Sequence, residues 1–138
     1  MKVFVDTNIF IDILQEREPF TKASSLVYTL CENSIVEGYI APITINNIYY
    51  ICRKSNQTKL PKSFLLDISI YHNIADMNEE TIKKANYLNI SDYEDSLQYA
   101  MAIQNGCEYF VTRNINDFKH VSQIRVLEPS EFVKMFEL

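Results

Sequence analysis

Three places in this 138-residue chain put carboxylates where they could act together. Asp6 directly follows the apolar run Val3-Phe4-Val5. Asp92, Glu94 and Asp95 crowd the stretch after Ser91, and Asp117 lies five residues beyond the run Glu108–Thr112. Carboxylates that converge repel one another unless a cation neutralises them. Oxygen donors with no His or Cys cluster beside them suit a hard ion, Mg²⁺ or Mn²⁺. Such an ion activates water and screens charge developing on a phosphodiester. Each position also has a structural reading. Asp6 could be a turn or N-cap residue, Asp92 and Glu94 first-turn acids favoured by the helix dipole, and Asp117 the cap of a short turn. Asp95 fills no obvious cap and lies off the stripe Tyr93–Leu97–Met101.

Whether these acids meet depends on the elements that carry them. Lys2–Val5 reads as a short buried strand. Asn8–Leu14 has helical spacing, and Pro19 fits the first turn of a helix through Leu30. Gly38–Ala41 is a second strand, and Thr44 a candidate N-cap for a helix through Lys54. A helix over Lys62–Ile70 and a strand around Asn73–Ala75 follow. Asp76 or Asn78 then caps a helix over Glu79–Leu88. Ser91–Glu94 matches the capping-box pattern S-x-x-E, and the helix it opens ends at Gly106. Glu108–Thr112 and Ile124–Leu127 are the last strands, and Glu128-Pro129-Ser130 starts a closing helix. This alternation predicts an α/β fold, a three-layer α/β/α sandwich with a mainly parallel central sheet, in one domain spanning residues 1–138. Loops at the carboxyl ends of parallel strands gather at one edge, where ligands bind. All three acidic loops open there.

Composition narrows the class. Hydrophobic residues make up 47% and charged residues 22%, too apolar for a disordered chain, and 2 Gly with 4 Pro exclude linker-like sequence. A net charge of −5 gives no overall attraction to nucleic acid or acidic lipid, so any such role needs a local device. Cys31, Cys52 and Cys107 are odd in number with no C-x-x-C spacing, and read as buried thiols of a reducing compartment. His72 and His120 are far apart and take structural or solvent roles. No targeting segment or membrane span is evident, which makes the cytoplasm the expected location.

Val5-Asp6-Thr7-Asn8-Ile9-Phe10-Ile11-Asp12 resembles the opening motif of the PIN-domain family, metal-dependent ribonucleases that include toxins of toxin–antitoxin pairs. Asp92–Gln98 and Phe110–Phe118 resemble its third and fourth motifs, so the likeness runs through the chain in order. The resemblance implies an acidic metal site of Asp6, Asp95 and Asp117, with Thr112 and Asn114 as polar residues beside it. Asp12 and Arg17 match a supporting N-terminal pattern of one branch. One position departs: where the second motif usually carries Glu, in a pattern like T-x-x-E, Thr44-Ile45-Asn46-Asn47 offers Asn47. An amide there accepts a hydrogen bond but adds no charge.

The activity this implies is Mg²⁺- or Mn²⁺-dependent hydrolysis of RNA. The implied partners are an RNA substrate, a small antitoxin protein and a second copy in a homodimer, with no membrane. From Gly38 to Leu66 there is no acidic residue, while Arg53, Lys54, Lys59 and Lys62 are basic, so a phosphate-tracking rim and a solvated face are both open readings. Arg113, between Thr112 and Asn114, is placed to touch the scissile phosphate. Tyr49 and Tyr50 are expected in the core, with stacking on an unpaired base as the alternative. Two rival functions remain: a catalytically weak RNA- or antitoxin-binding module, and a phosphotransfer enzyme with Asp6 as nucleophile. The second usually has another Asp two residues on, where this chain has Asn8.

Overall fold

The computed structural model describes residues 1–55 and 62–138. Strand β1 (Lys2–Val5) leads into α1 (Thr7–Leu14) and α2 (Thr21–Glu32); β2 (Glu37–Ile40) leads into α3 (Pro42–Lys54) and α4 (Lys62–Tyr71). Then come β3 (His72–Ile74), α5 (Glu79–Tyr87), α6 (Tyr93–Gln104) and β4 (Tyr109–Val111). A 3₁₀ turn (Ile115–Phe118), β5 (Arg125–Leu127) and α7 (Pro129–Lys134) follow. The sheet order is β3-β2-β1-β4-β5 and every pairing is parallel, as the alternation of elements predicts.

β1 sits at the centre because its residues can be buried on both faces. Val3, Phe4 and Val5 are all inaccessible, each contributing about 1.5–3 kcal/mol of burial. Successive side chains alternate between two cores. Val3 and Val5 join Val111 under α1, α2, α3, α4 and α7, while Phe4 joins Phe110, Tyr99 and Met101 under α6. Phe4 and Phe110, opposite one another in the β1–β4 register, stack at 5.3 Å. The connections run one way from β1 to β2 and β3, and the other way to β4 and β5. The switch point therefore lies at the carboxyl ends of β1 and β4.

Several boundaries differ from expectation. α3 starts at Pro42, with Ala41 in the extended N-cap position. Proline is preorganised for the first helical position, so the helix begins there rather than after Thr44. The Thr44 hydroxyl, buried, instead meets that of Thr7 at 3.0 Å and ties α3 to α1. α6 is capped by Asp92, whose Oδ1 accepts the Asp95 amide at 2.9 Å, so the predicted box on Ser91 does not form. Asn78, one of the two candidates, caps α5 in a reciprocal box with Thr81. Cys31, Cys52 and Cys107 are buried and unbridged, as read from the sequence. Gly38 has no room for a side chain, since a Cβ would stand 2.7 Å from Cys31 Sγ and 2.8 Å from His72 Cδ2. Among the described residues no helix is long and apolar enough to cross a membrane.

Candidate active site

The end of β1 delivers Asp6, and the end of β4 delivers Thr112. The strands are adjacent, so Thr112 Oγ1 donates to Asp6 Oδ2 at 2.8 Å, while the Asp6 amide donates to the Val111 carbonyl at 3.1 Å. Although Asp6 occupies the N-cap position of α1, it makes no side-chain cap bond there. Thr112 Oγ1 also accepts the Asn114 amide at 3.1 Å, and Asn114 O accepts the Asp117 amide at 3.0 Å in the 3₁₀ turn. One hydroxyl thus links the first acid to the loop that carries the last.

These groups surround an open cavity of about 370 Å³, lined by Asp6, Asn8, Asn47, Tyr50, Glu94, Asp95, Gln98, Asn114 and Asp117 among others. Asp92 borders it too, and among the described residues no Lys, Arg or His lines it. A hollow of about 470 Å³ lies at the opposite, amino-terminal end of β1–β3, but Glu37 is the only acid lining it. The acidic cavity is therefore the candidate site. The structure brings together Asp6, Asn47, Asp95, Asn114 and Asp117 from the sequence reading, with Thr112 directly behind Asp6.

Electrostatics reflects the crowding. Burial pushes the Asp6 carboxyl up, against the opposing hydrogen bonds of Thr112 and Gln98. Asp95 is pushed up to about 7, first by burial and then by the charges of Asp6, Asp92, Asp117 and Glu94. Glu94 is raised by desolvation and by Asp6 and Asp92, with the Asn47 amide opposing. Among the described residues no group of three or more His, Cys, Asp or Glu side chains is drawn together as a ready-made metal cage. The donor set still fits a hard divalent ion in kind, being all oxygen and surplus in negative charge. Gln98 adds a second sign: it is 1% exposed, and its Oε1 is an acceptor with no partner among the described residues. A hydrated cation would supply the missing donors.

Other expected residues lie differently. Arg113 does not line the cavity; its Nε stands 2.5 Å from Asp12 Oδ2 and its guanidinium lies over the Phe20 ring at 4.3 Å. The pairing answers Asp12, which is 0% exposed and needs a cation. Tyr49 and Tyr50 are 45% and 55% exposed, which corrects their placement in the core. Tyr50 lines the cavity, and Lys54 Nζ lies 4.7 Å from its ring centroid; Arg53 is exposed beside it. Lys59 lies outside the described residues. Sequence reasoning missed Asn8 and Gln98. The signal for Gln98 was a polar residue one turn after Asp95, on a helix whose neighbours there are buried.

Comparison with known proteins agrees with this geometry. A family model described as PIN domain matches residues 2–116. Ribonuclease VapC1 of Aquifex aeolicus (strain VF5) is 31% identical over 140 residues, covering 95% of this chain and 92% of that protein. Among solved structures, VapBC2 from Rickettsia felis, bound to a DNA fragment from its promoter, superposes with a TM-score of 0.66 at 22% identity, over 93% of this chain and 98% of the other. A toxin–antitoxin complex from Klebsiella pneumoniae gives 0.67 at 21%, covering 92% and 97%. These two show likeness of fold.

Proposed function

The chain belongs to the PIN-domain family, and from that premise we propose that it is a metal-dependent endoribonuclease, the toxin of a toxin–antitoxin pair. The observation that carries the reading is the ring of carboxylates, unpaired with any basic side chain among the described residues, at the carboxyl edge of a parallel sheet. Asp6, Asp95 and Asp117 would hold Mg²⁺ or Mn²⁺. When bound, that ion supplies an activated water and offsets charge building on the phosphodiester. The chain's own groups do the rest. Thr112 fixes the Asp6 carboxylate and, through the Asn114 amide, the loop that carries Asp117. Asp95, pushed up to about 7 by burial and the neighbouring carboxylates, is an acid whose charged form a bound cation would favour. Tyr50 offers an exposed ring at the rim on which an unpaired base can stack, while Lys54 and Arg53 attract the RNA backbone. Arg113 acts on the site only through the loop it anchors to Asp12. The ribonuclease name of the Aquifex relative supports the reaction, and the toxin–antitoxin complexes of similar fold support a small protein partner.

The test is cleavage of single-stranded RNA with Mn²⁺, with and without chelator, by wild type and Asp95→Ala. Cutting should require the ion, and Asp95→Ala should lose more than the ~10–100-fold that removal of a merely supporting residue costs. Equal cutting by Asp95→Ala, or by wild type in chelator, overturns the reading. Tight RNA binding without cleavage in any metal would favour a binding module instead.

A further inference from the structure

We propose that Glu94 is the fourth carboxylate of this centre, replacing from α6 the charge that α3 lacks at position 47, and that Asn47 is the positioning residue that holds it there. This rests on the reading of the cavity as a cation-dependent site. Asn47 Nδ2 donates to Glu94 Oε1 at 2.8 Å, a contact between residues 47 positions apart. α3 and α6 lie in opposite helical layers, so the bond spans the carboxyl edge of the sheet at the mouth of the cavity.

The helix itself does not explain this orientation. A capping box would turn Glu94 back towards Ser91, but Asp92 is the cap, and Glu94 reaches across to α3 instead. First-turn acids complement the helix dipole wherever their carboxyls point, so the dipole accounts for the presence of Glu94 and not for its aim. Asn47 engages one carboxylate oxygen and leaves Oε2 without a partner among the described residues. Independently, Gln98 lies one turn further along α6, at i+4 from Glu94, with its buried Oε1 also unpartnered. Glu94 and Gln98 both line the same cavity, and a hydrated divalent cation is the ligand class that suits a free carboxylate oxygen beside an orphaned amide. An amide at 47 is then the matching choice, since a carboxylate there would face Glu94 as a like charge and could not donate to it.

The experiment is a calorimetric titration of the full chain with Mn²⁺, alongside metal-free melting curves. Four proteins are compared: wild type, Glu94→Gln, Asn47→Glu, and the exchanged double variant Asn47→Glu with Glu94→Gln. Glu94→Gln should weaken Mn²⁺ binding ~10–100-fold while its metal-free melting temperature stays the same or rises, since one of the crowded charges is gone. The exchange should recover most of that loss, because the donor and the carboxylate have only traded helices. Asn47→Glu alone should lower the metal-free melting temperature through repulsion. Wild-type affinity in Glu94→Gln, or loss with no recovery in the exchange, overturns the inference while leaving the nuclease reading intact, provided wild type binds Mn²⁺. If wild type binds no Mn²⁺, both fall.

Discussion

Asp6 and Asp12 stand six positions apart, at the mouth and in the body of the same helix, and both are buried. Their surroundings differ in kind. Asp12 has the guanidinium of Arg113 against it, Arg17 at 3.9 Å and the Ser24 hydroxyl at 3.4 Å. Among the described residues Asp6 has only neutral donors, the Thr112 and Gln98 side chains and the Thr7 and Asn8 amides, and the charges that act with it are other carboxylates. Burying an unpaired anion costs several kcal/mol, so a fold keeps one only where something else completes it. Asp12 finds its counter-charge within the chain and anchors a loop. Asp6 has no counter-charge among the described residues, and the proposed cation would supply it.

The largest expected effect breaks the complete member of that pair. Asp12→Ala should cost about 3–5 kcal/mol in urea unfolding, because it strands Arg113 beside an apolar ring. Asp12→Leu combined with Arg113→Met should recover most of it. A loss below about 1 kcal/mol in Asp12→Ala would show that the guanidinium simply turns to solvent. His72 illustrates a further way to bury an ionisable group: it stays neutral. Burial pushes it down to about 4 from 6.5, with Nδ1 2.9 Å from the Ile68 carbonyl. A base with a depressed folded-state value contributes stability that is full above pH 6.5 and lost as pH falls towards 4. The loss should be on the order of 3 kcal/mol, and His72→Gln should flatten that part of the pH profile. The smallest effect sharpens the incomplete side. The folded-state value of Asp95 is raised to about 7 from 3.8, so its contribution is favourable at low pH and is lost as pH rises through 7. Metal-free Asp95→Asn should therefore be more stable than wild type at pH 8 by about 1 kcal/mol, allowing for solvent screening, and should match it at pH 4. Saturating Mn²⁺ should reverse the order at pH 8. If the order does not reverse, Asp95 is not a ligand.

The strands and the convergence of acids were legible because both follow from local pattern and one topological rule. Val3-Phe4-Val5 has to be central, and Asp6 has to emerge at the sheet's edge. What escaped sequence reading were partnerships across long separations. Arg113 looked free to meet a phosphate because nothing local shows that Asp12, 101 positions earlier, claims it. Glu94 looked like half of a capping box because its true partner lies on another helix. Thr44 carried the right residue type for a cap, but Pro42 starts the helix first. Tyr49 and Tyr50 are apolar enough for a core, yet the helical stripe that α3 buries runs through Thr44, Ile48 and Cys52.

β1's place between β2 and β4 has a consequence for the order in which the molecule is made. Its pairing with β2 uses residues already synthesised early, whereas its other edge waits for Tyr109–Val111. Contacts so distant in sequence form slowly, and chains on the ribosome fold from the amino terminus. A nascent chain can therefore hold Asp6 at a sheet edge long before Asp95 and Asp117 exist to join it. Until β4 docks, that edge of the apolar β1 is open to stray strand pairing, a hazard for aggregation. The cavity is complete only once α6 and the turn after β4 have joined it, so an interrupted translation product would carry its first acid without the others.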